Sequence, residues 1–171
     1  MPYFLQMALN NAWANATLYT AFQDLAPGAF SAPRPGFFPS LAETMNHIYE
    51  VDLYYIDALE EGGQGLAVYN RQPISDHAVL GQMQVEADMR FARFCQQLSE
   101  DDLSRRVRTA RPHDPDVTER IDALILHLVQ HQIHHRGQAH VQLQEAGVMP
   151  PQLDEFHLED DRAPTARAYF P

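Results

Sequence analysis

The stretch Leu124-Ile-Leu-His127-Leu-Val-Gln-His131-Gln-Ile-His134-His135-Arg-Gly-Gln138-Ala-His140 carries five of the chain's nine histidines. Its apolar residues recur at helical spacing, so it reads as one long helix with a core-facing stripe. Around that helix His127, His134, His135 and Gln138 all fall within about 60° of His131, on the stripe that also holds Leu124 and Leu128. His140 falls on the opposite side and reads as exposed. Imidazoles on a buried face need hydrogen-bond partners or a metal ion. His131 and His135 stand one turn apart, a spacing suited to sharing an ion. Two hydrogen-bonded core histidines would show the same spacing, so the pair alone leaves both readings open.

Working outward, this helix is expected from near residue 118 to residue 146. Gly147 supplies a left-handed cap, and Pro150 and Pro151 enforce the stop. A third helix is expected from Ser75 or Asp76, as cap, to about residue 98. A second begins at Ser40-Leu-Ala-Glu43, which has the form of a capping box, and stops before Gly62 and Gly63. A first spans about residues 3–25, with Leu5, Ala8, Ala12, Leu18 and Phe22 near helical spacing. Residues 27–39 hold four prolines and two glycines and read as a loop. Strand signals and internal repeats are absent. The expectation is an all-α chain, a four-helix bundle forming one domain over residues 1–171. Its tail, residues 152–171, either packs on the bundle or frays. The long first and third connections leave two helix orders open, up-down-down-up and up-down-up-down.

Composition narrows the chemistry. A formal charge of −11 repels phosphate backbones, so no nucleic-acid partner is expected. The arginines at positions 105, 106, 108 and 111 lie close to Glu100, Asp101 and Asp102 and read as a solvated loop. No apolar run spans a membrane and no secretory leader is visible, which makes the cytosol the expected location. All twelve basic residues are arginine, excluding Schiff-base catalysis by lysine. Cys95, the single cysteine, excludes internal disulfides and thiolate zinc sites, and its patterned segment reads as packing.

A third ligand should come from a facing helix. The second helix offers His47, on a stripe with Glu43, Val51, Tyr54 and Ala58. Three neutral histidines on two helices would leave coordination positions open, the mark of a catalytic metal. Paired Glu-x-x-His motifs, His-Glu-x-x-His, phosphate loops and Gly-x-Ser-x-Gly are all missing.

At these residues the chain resembles the DinB superfamily, also called DinB/YfiT-like. Helix two reads Pro39-Ser-Leu-Ala-Glu-Thr-Met-Asn-His47-Ile-Tyr-Glu-Val-Asp52, similar to the family segment with its first histidine. Helix four reads His131-Gln-Ile-His-His-Arg-Gly-Gln138, similar to the family's His-x-x-x-His-Arg-Gly-Gln signature. Asn11-Ala-Trp13-Ala-Asn15 also fits. The resemblance implies a divalent ion, zinc or nickel, on His47, His131 and His135, and a homodimer. Beside it, His127 reads as a residue behind the ligands or in the core. Gly137 reads as a close-packing position, and Arg136 as a structural partner of a carboxylate such as Asp52. Gln138 faces the site, either packing behind the ligands or donating to a metal-bound ligand. The substrate pocket is expected at the bundle mouth, near Tyr54 and Trp13.

Relatives of this type include thiol-dependent S-transferases, in which a metal activates a low-molecular-weight thiol. The first expectation is therefore a metal- and thiol-dependent transferase acting on a small molecule. The second is a metal-dependent hydrolase with bound water as nucleophile and Glu43 or Glu50 as base. The third is a stress-linked metal-binding bundle without catalysis.

Overall fold

The computed structural model describes residues 2–113, 115–158 and 163–170. Four long helices dominate it: α1 (Pro2–Ala21), α2 (Leu41–Leu59), α3 (His77–Gln97) and α5 (Ile121–Glu145), with a short α4 (Glu100–Ser104) before a hairpin. Local chemistry explains the ends. The Ser40 hydroxyl accepts the Glu43 N–H at 3.2 Å, the forward half of the expected capping box. Asp76, rather than Ser75, caps α3 by accepting the Ala78 and Val79 N–H groups. Gly147 takes φ +83° after α5, and the Val148 and Gly147 N–H groups return to the Leu143 and Gln144 carbonyls. That is the Schellman arrangement expected of a C-terminal glycine. The α-helical part of α1 stops at Ala21, and Phe22–Asp24 tighten into a 3-10 turn.

The order is up-down-down-up. Phe22, after α1, meets His77 at the start of α3 through Phe30, and the Ala42 N–H at the start of α2 donates to the Phe30 carbonyl. Thr44 near the start of α2 donates to Gln142 near the end of α5. The link from α2 to α3 therefore runs back along the bundle, where Asn46 clasps Ile74 through both its amide groups. The core between the helices is filled by Leu18, Phe22, Leu41, Met45, Ile48, Ile56, Leu80, Phe91 and Ile125, all fully buried. Burying such side chains contributes on the order of 1.5–3 kcal/mol each.

Two expectations fail here. Strands are present: β1 (Arg106–Thr109) pairs antiparallel with β2 (Val117–Arg120), Arg106 opposite Arg120 and Thr109 opposite Val117. So α5 begins at Ile121, not near Thr118, and Arg106 and Arg108 lie in a strand rather than a loop, with Arg105 and Arg111 outside it. Val107 and Thr109 point inward while Arg106 and Arg108 face solvent. The described part of the tail packs on the bundle. Phe156 is buried against Trp13 at 5.6 Å, and the Trp13 indole donates to Thr165 at 2.9 Å. Residues 159–162 and 171, part of the expected tail, lie outside the described residues. Among the described residues no helix is long and apolar enough to cross a membrane.

Candidate metal centre

α2 and α5 run antiparallel, and their facing stripes bring His47, His131 and His135 together. One ring nitrogen from each lies within 4.8 Å of the others, a group that could hold a metal ion. His47 Nε2 and His131 Nε2 are 3.0 Å apart. Two imidazole nitrogens sharing one tetrahedral zinc would stand about 3.3 Å apart, given metal–nitrogen bonds near 2.05 Å. The His47–His131 pair stands near that spacing, and the His135 nitrogen lies within 4.8 Å of both. The Nδ1 atom of His131 is buried without a hydrogen-bond partner among the described residues.

The electrostatics favour lone pairs over protons. Burial, then His135, pushes His47 down to about 4. Burial pushes His131 down to about 3, with His135, His47, His127 and His134 adding repulsion. Burial also lowers His135, against an opposing bond from Gln138. All three rings are neutral near pH 7, the form a metal requires.

Gln138 takes the packing place behind a histidine, one of the two places expected of it. Its amide oxygen accepts from His135 Nδ1 at 2.8 Å, and its amide nitrogen donates to His134 Nε2 at 3.1 Å. It thereby fixes the His135 tautomer and leaves Nε2 free, the usual task of a group behind a metal ligand. His134 and His127 share the wheel position of the ligands but are exposed. His127 is exposed, its ring tilted against Tyr55 at 4.8 Å and 6.2 Å from His131, so the core reading fails for it. His140 is half-buried, its Nε2 3.0 Å from the Pro151 carbonyl. Glu43 is exposed, its carboxylate 3.5 Å from the Ser40 hydroxyl, and it is not part of the histidine group. Trp13 holds the tail and is no part of the site, and Tyr54 donates to the Ala110 carbonyl.

Two features go beyond the arrangement expected from the sequence. The first is Phe38, from the proline-rich loop, whose ring covers His47 at 4.6 Å and His135 at 5.6 Å. Gln142 pins that loop, donating to the Phe38 carbonyl at 2.7 Å while accepting from Thr44. The second is a buried polar layer beneath the ligands, drawn from all four long helices. Arg136 donates to Asn11, Asn15 and Gln132. Asp88 accepts from both asparagines and from Gln84, and Asp52 accepts from Gln84 and Gln132. Gln132 thus stands between Arg136 and Asp52, where a direct pair was expected. Burial pushes the Asp88 carboxyl up to about 6 and raises Asp52; burial lowers Arg136 only to about 10, so it stays charged. Gln132 follows His131 and Arg136 follows His135, so the layer holds α5 in register under the histidine group. Gly137 is not a packing position within the chain: a Cβ there would meet nothing within 4 Å.

Comparison with known proteins agrees with this architecture. The sequence model of the DinB family matches residues 1–166. The protein DinB of Bacillus subtilis strain 168 is 22% identical over 143 residues, covering 80% of this chain and 82% of that protein. The crystal structure of a DinB-like protein from Bacillus cereus ATCC 10987 superposes with a TM-score of 0.63 at 16% identity, over 82% of this chain and 90% of that one. The DinB-like protein YjoA of Bacillus subtilis gives 0.62 at 19% identity, over 86% and 96%. Those two structures share the fold, and the match over nearly the whole chain assigns the rest: this protein belongs to the DinB family.

Proposed function

We propose that the chain is a metal-dependent transferase in which His47, His131 and His135 hold one divalent ion, zinc or nickel, and a low-molecular-weight thiol attacks a small electrophilic substrate. The observation that carries the reading is the convergence of three neutral imidazoles from two helices, with one tautomer set by Gln138. Such an ion supplies a Lewis acid that lowers the pKa of a thiol brought to it. The chain's residues do the remaining work. Phe38 shields two of the rings from water on one side. His127 and His134 lie exposed beside them, at the edge of the group.

Thiol transfer is favoured over hydrolysis because the nucleophile arrives with the thiol and needs no carboxylate base. Among the described residues no carboxylate joins the histidine group. Glu43 is exposed at the α2 cap, and Glu50 is only half-buried and interacts with Arg71. A homodimer in the cytosol belongs to the same reading, with Ile133 and Val141 exposed on either side of Gly137 as its contact face. The test is turnover by the zinc- or nickel-loaded chain with a panel of small thiols and a fluorogenic alkylating acceptor, beside a p-nitrophenyl ester. Thiol-dependent transfer that disappears in His131→Ala supports the proposal. Ester hydrolysis without any thiol requirement would replace it with the hydrolase.

A further inference from the structure

The face shared by α2 and α5 carries rings well beyond the histidine group. From His131 a row continues through His127 at 6.2 Å, Tyr55 at 4.8 Å, Tyr54 at 5.0 Å and Tyr69 at 5.5 Å, each measured from the ring before it. His135, His131 and His127 stand on successive turns of α5, about 6 Å apart along its axis. Phe38 covers the His135 end of this row, over His47 and His135. That leaves the His127 end for an approaching molecule.

The rings at that end are in reach of solvent. His127 is exposed, Tyr55 is half-buried and Tyr69 is 40% exposed. Tyr54 between them has a structural task, since it is buried and its hydroxyl donates to the Ala110 carbonyl. Tyr55 packs part of its ring on the core, and neither it nor His127 makes a side-chain hydrogen bond to another described residue. A contiguous exposed patch marks an interaction site, whereas single exposed rings carry no such meaning. Aromatic faces and edges favour a further ring at about 4.5–7 Å.

The row offers little to a charged molecule. Among the described residues one cation sits over a ring, Arg71 on Tyr49, and Tyr49 is outside the row. Glu50, whose charge reaches Tyr69, also faces Arg71. An anion therefore meets no guanidinium over these rings, and a cation meets a carboxylate already matched. A neutral ring meets surfaces of its own kind.

We propose that the small molecule taken by this site carries a neutral aromatic ring, held against Tyr55 and His127 with its other end toward the histidine group. What then happens to that molecule rests on the transferase reading; the ring contact is measured without turnover.

The test is titration of the full chain, zinc-loaded and chelator-treated, with benzamide and with its saturated counterpart cyclohexanecarboxamide, followed by amide NMR. Saturable benzamide shifts are expected around Tyr55, His127 and His131 in both forms. Cyclohexanecarboxamide should bind about fivefold more weakly, the loss of one ring–ring contact. Tyr55→Phe should bind benzamide as wild type does, whereas Tyr55→Leu and His127→Ala should each weaken it about fivefold. Tyr3→Leu, an exposed ring of α1 outside the row, should change nothing. The proposal is overturned if benzamide shifts are absent or lie elsewhere, or if the saturated amide binds equally well. It is equally overturned if Tyr55→Leu and His127→Ala leave affinity unchanged. Benzamide bound as expected by a chain that transfers no thiol supports the ring site and removes only the transferase reading.

Discussion

Replacing Arg136 with methionine should destabilise the fold more than any single ligand change. The substitution removes the cation from the buried layer and leaves the oxygens of Asn11, Asn15 and Gln132 without their donor. The asparagines cannot simply turn over, because their amide nitrogens already donate to Asp88. Each unsatisfied buried oxygen costs about 1–3 kcal/mol. Breaking a buried charge network costs about 3–5 kcal/mol. Protonation of Asp52 and Asp88, both already raised by burial, limits the loss, so about 4 kcal/mol is expected. Against a total of about 5–15 kcal/mol this is severe. With a urea m-value of about 2 kcal/mol per molar, the midpoint should fall by about 2 M. The deficit should be smaller at pH 5 than at pH 8, since neutral carboxyls miss the guanidinium less. A midpoint drop below about 0.5 M with an unchanged m-value would refute the network as described.

Three further outcomes follow from the geometry. In chelator-treated protein His47 and His131 sit at about 4 and 3, below the usual 6.5, so the unfolded chain binds more protons than the folded one in between. Stability contributed by these rings should therefore rise as pH goes from about 4 to 6.5, and His131→Leu should flatten that rise in urea titrations. Gly137→Ala should stabilise the chain by about 0.5–1 kcal/mol, since the added methyl meets open space in a helix; a loss of stability on thermal unfolding would reveal a close neighbour that the single chain lacks. Burial pushes the Cys95 thiol up to about 12, so it should react with a disulfide reagent only on unfolding, and Cys95→Ala should keep any thiol-dependent turnover.

The helices were legible where caps and glycines mark them: Ser40, Asp76 and Gly147 each sit at the expected boundary. The hairpin was not, because each strand is four residues long and only Val107 and Thr109 alternate with arginines, too little to show a period of two. The histidine group was legible because His131 and His135 stand one turn apart on α5 and the Ser40 cap fixes the orientation of α2, which carries His47. The wheel could not separate His134 and His127 from the histidines that meet His47, since it shows direction on one helix and not the width of the facing one. The polar layer did leave a signal that went unread. Asn11 and Asn15, Gln84 and Asp88, and Gln132 and Arg136 are three i,i+4 polar pairs on otherwise apolar helix faces. Polar pairs at core spacing on several helices should be read as one buried network. Phe38 could not be found, because its place depends on how a proline-rich loop folds back.

The metal content of untagged protein, for wild type and for His47→Ala, His131→Ala and His135→Ala, tests the central claim most directly. The account predicts about one divalent ion per chain, lost in each variant while the helical content is kept. Wild-type protein that is folded but metal-free, and no more stable with added zinc or nickel, would contradict it.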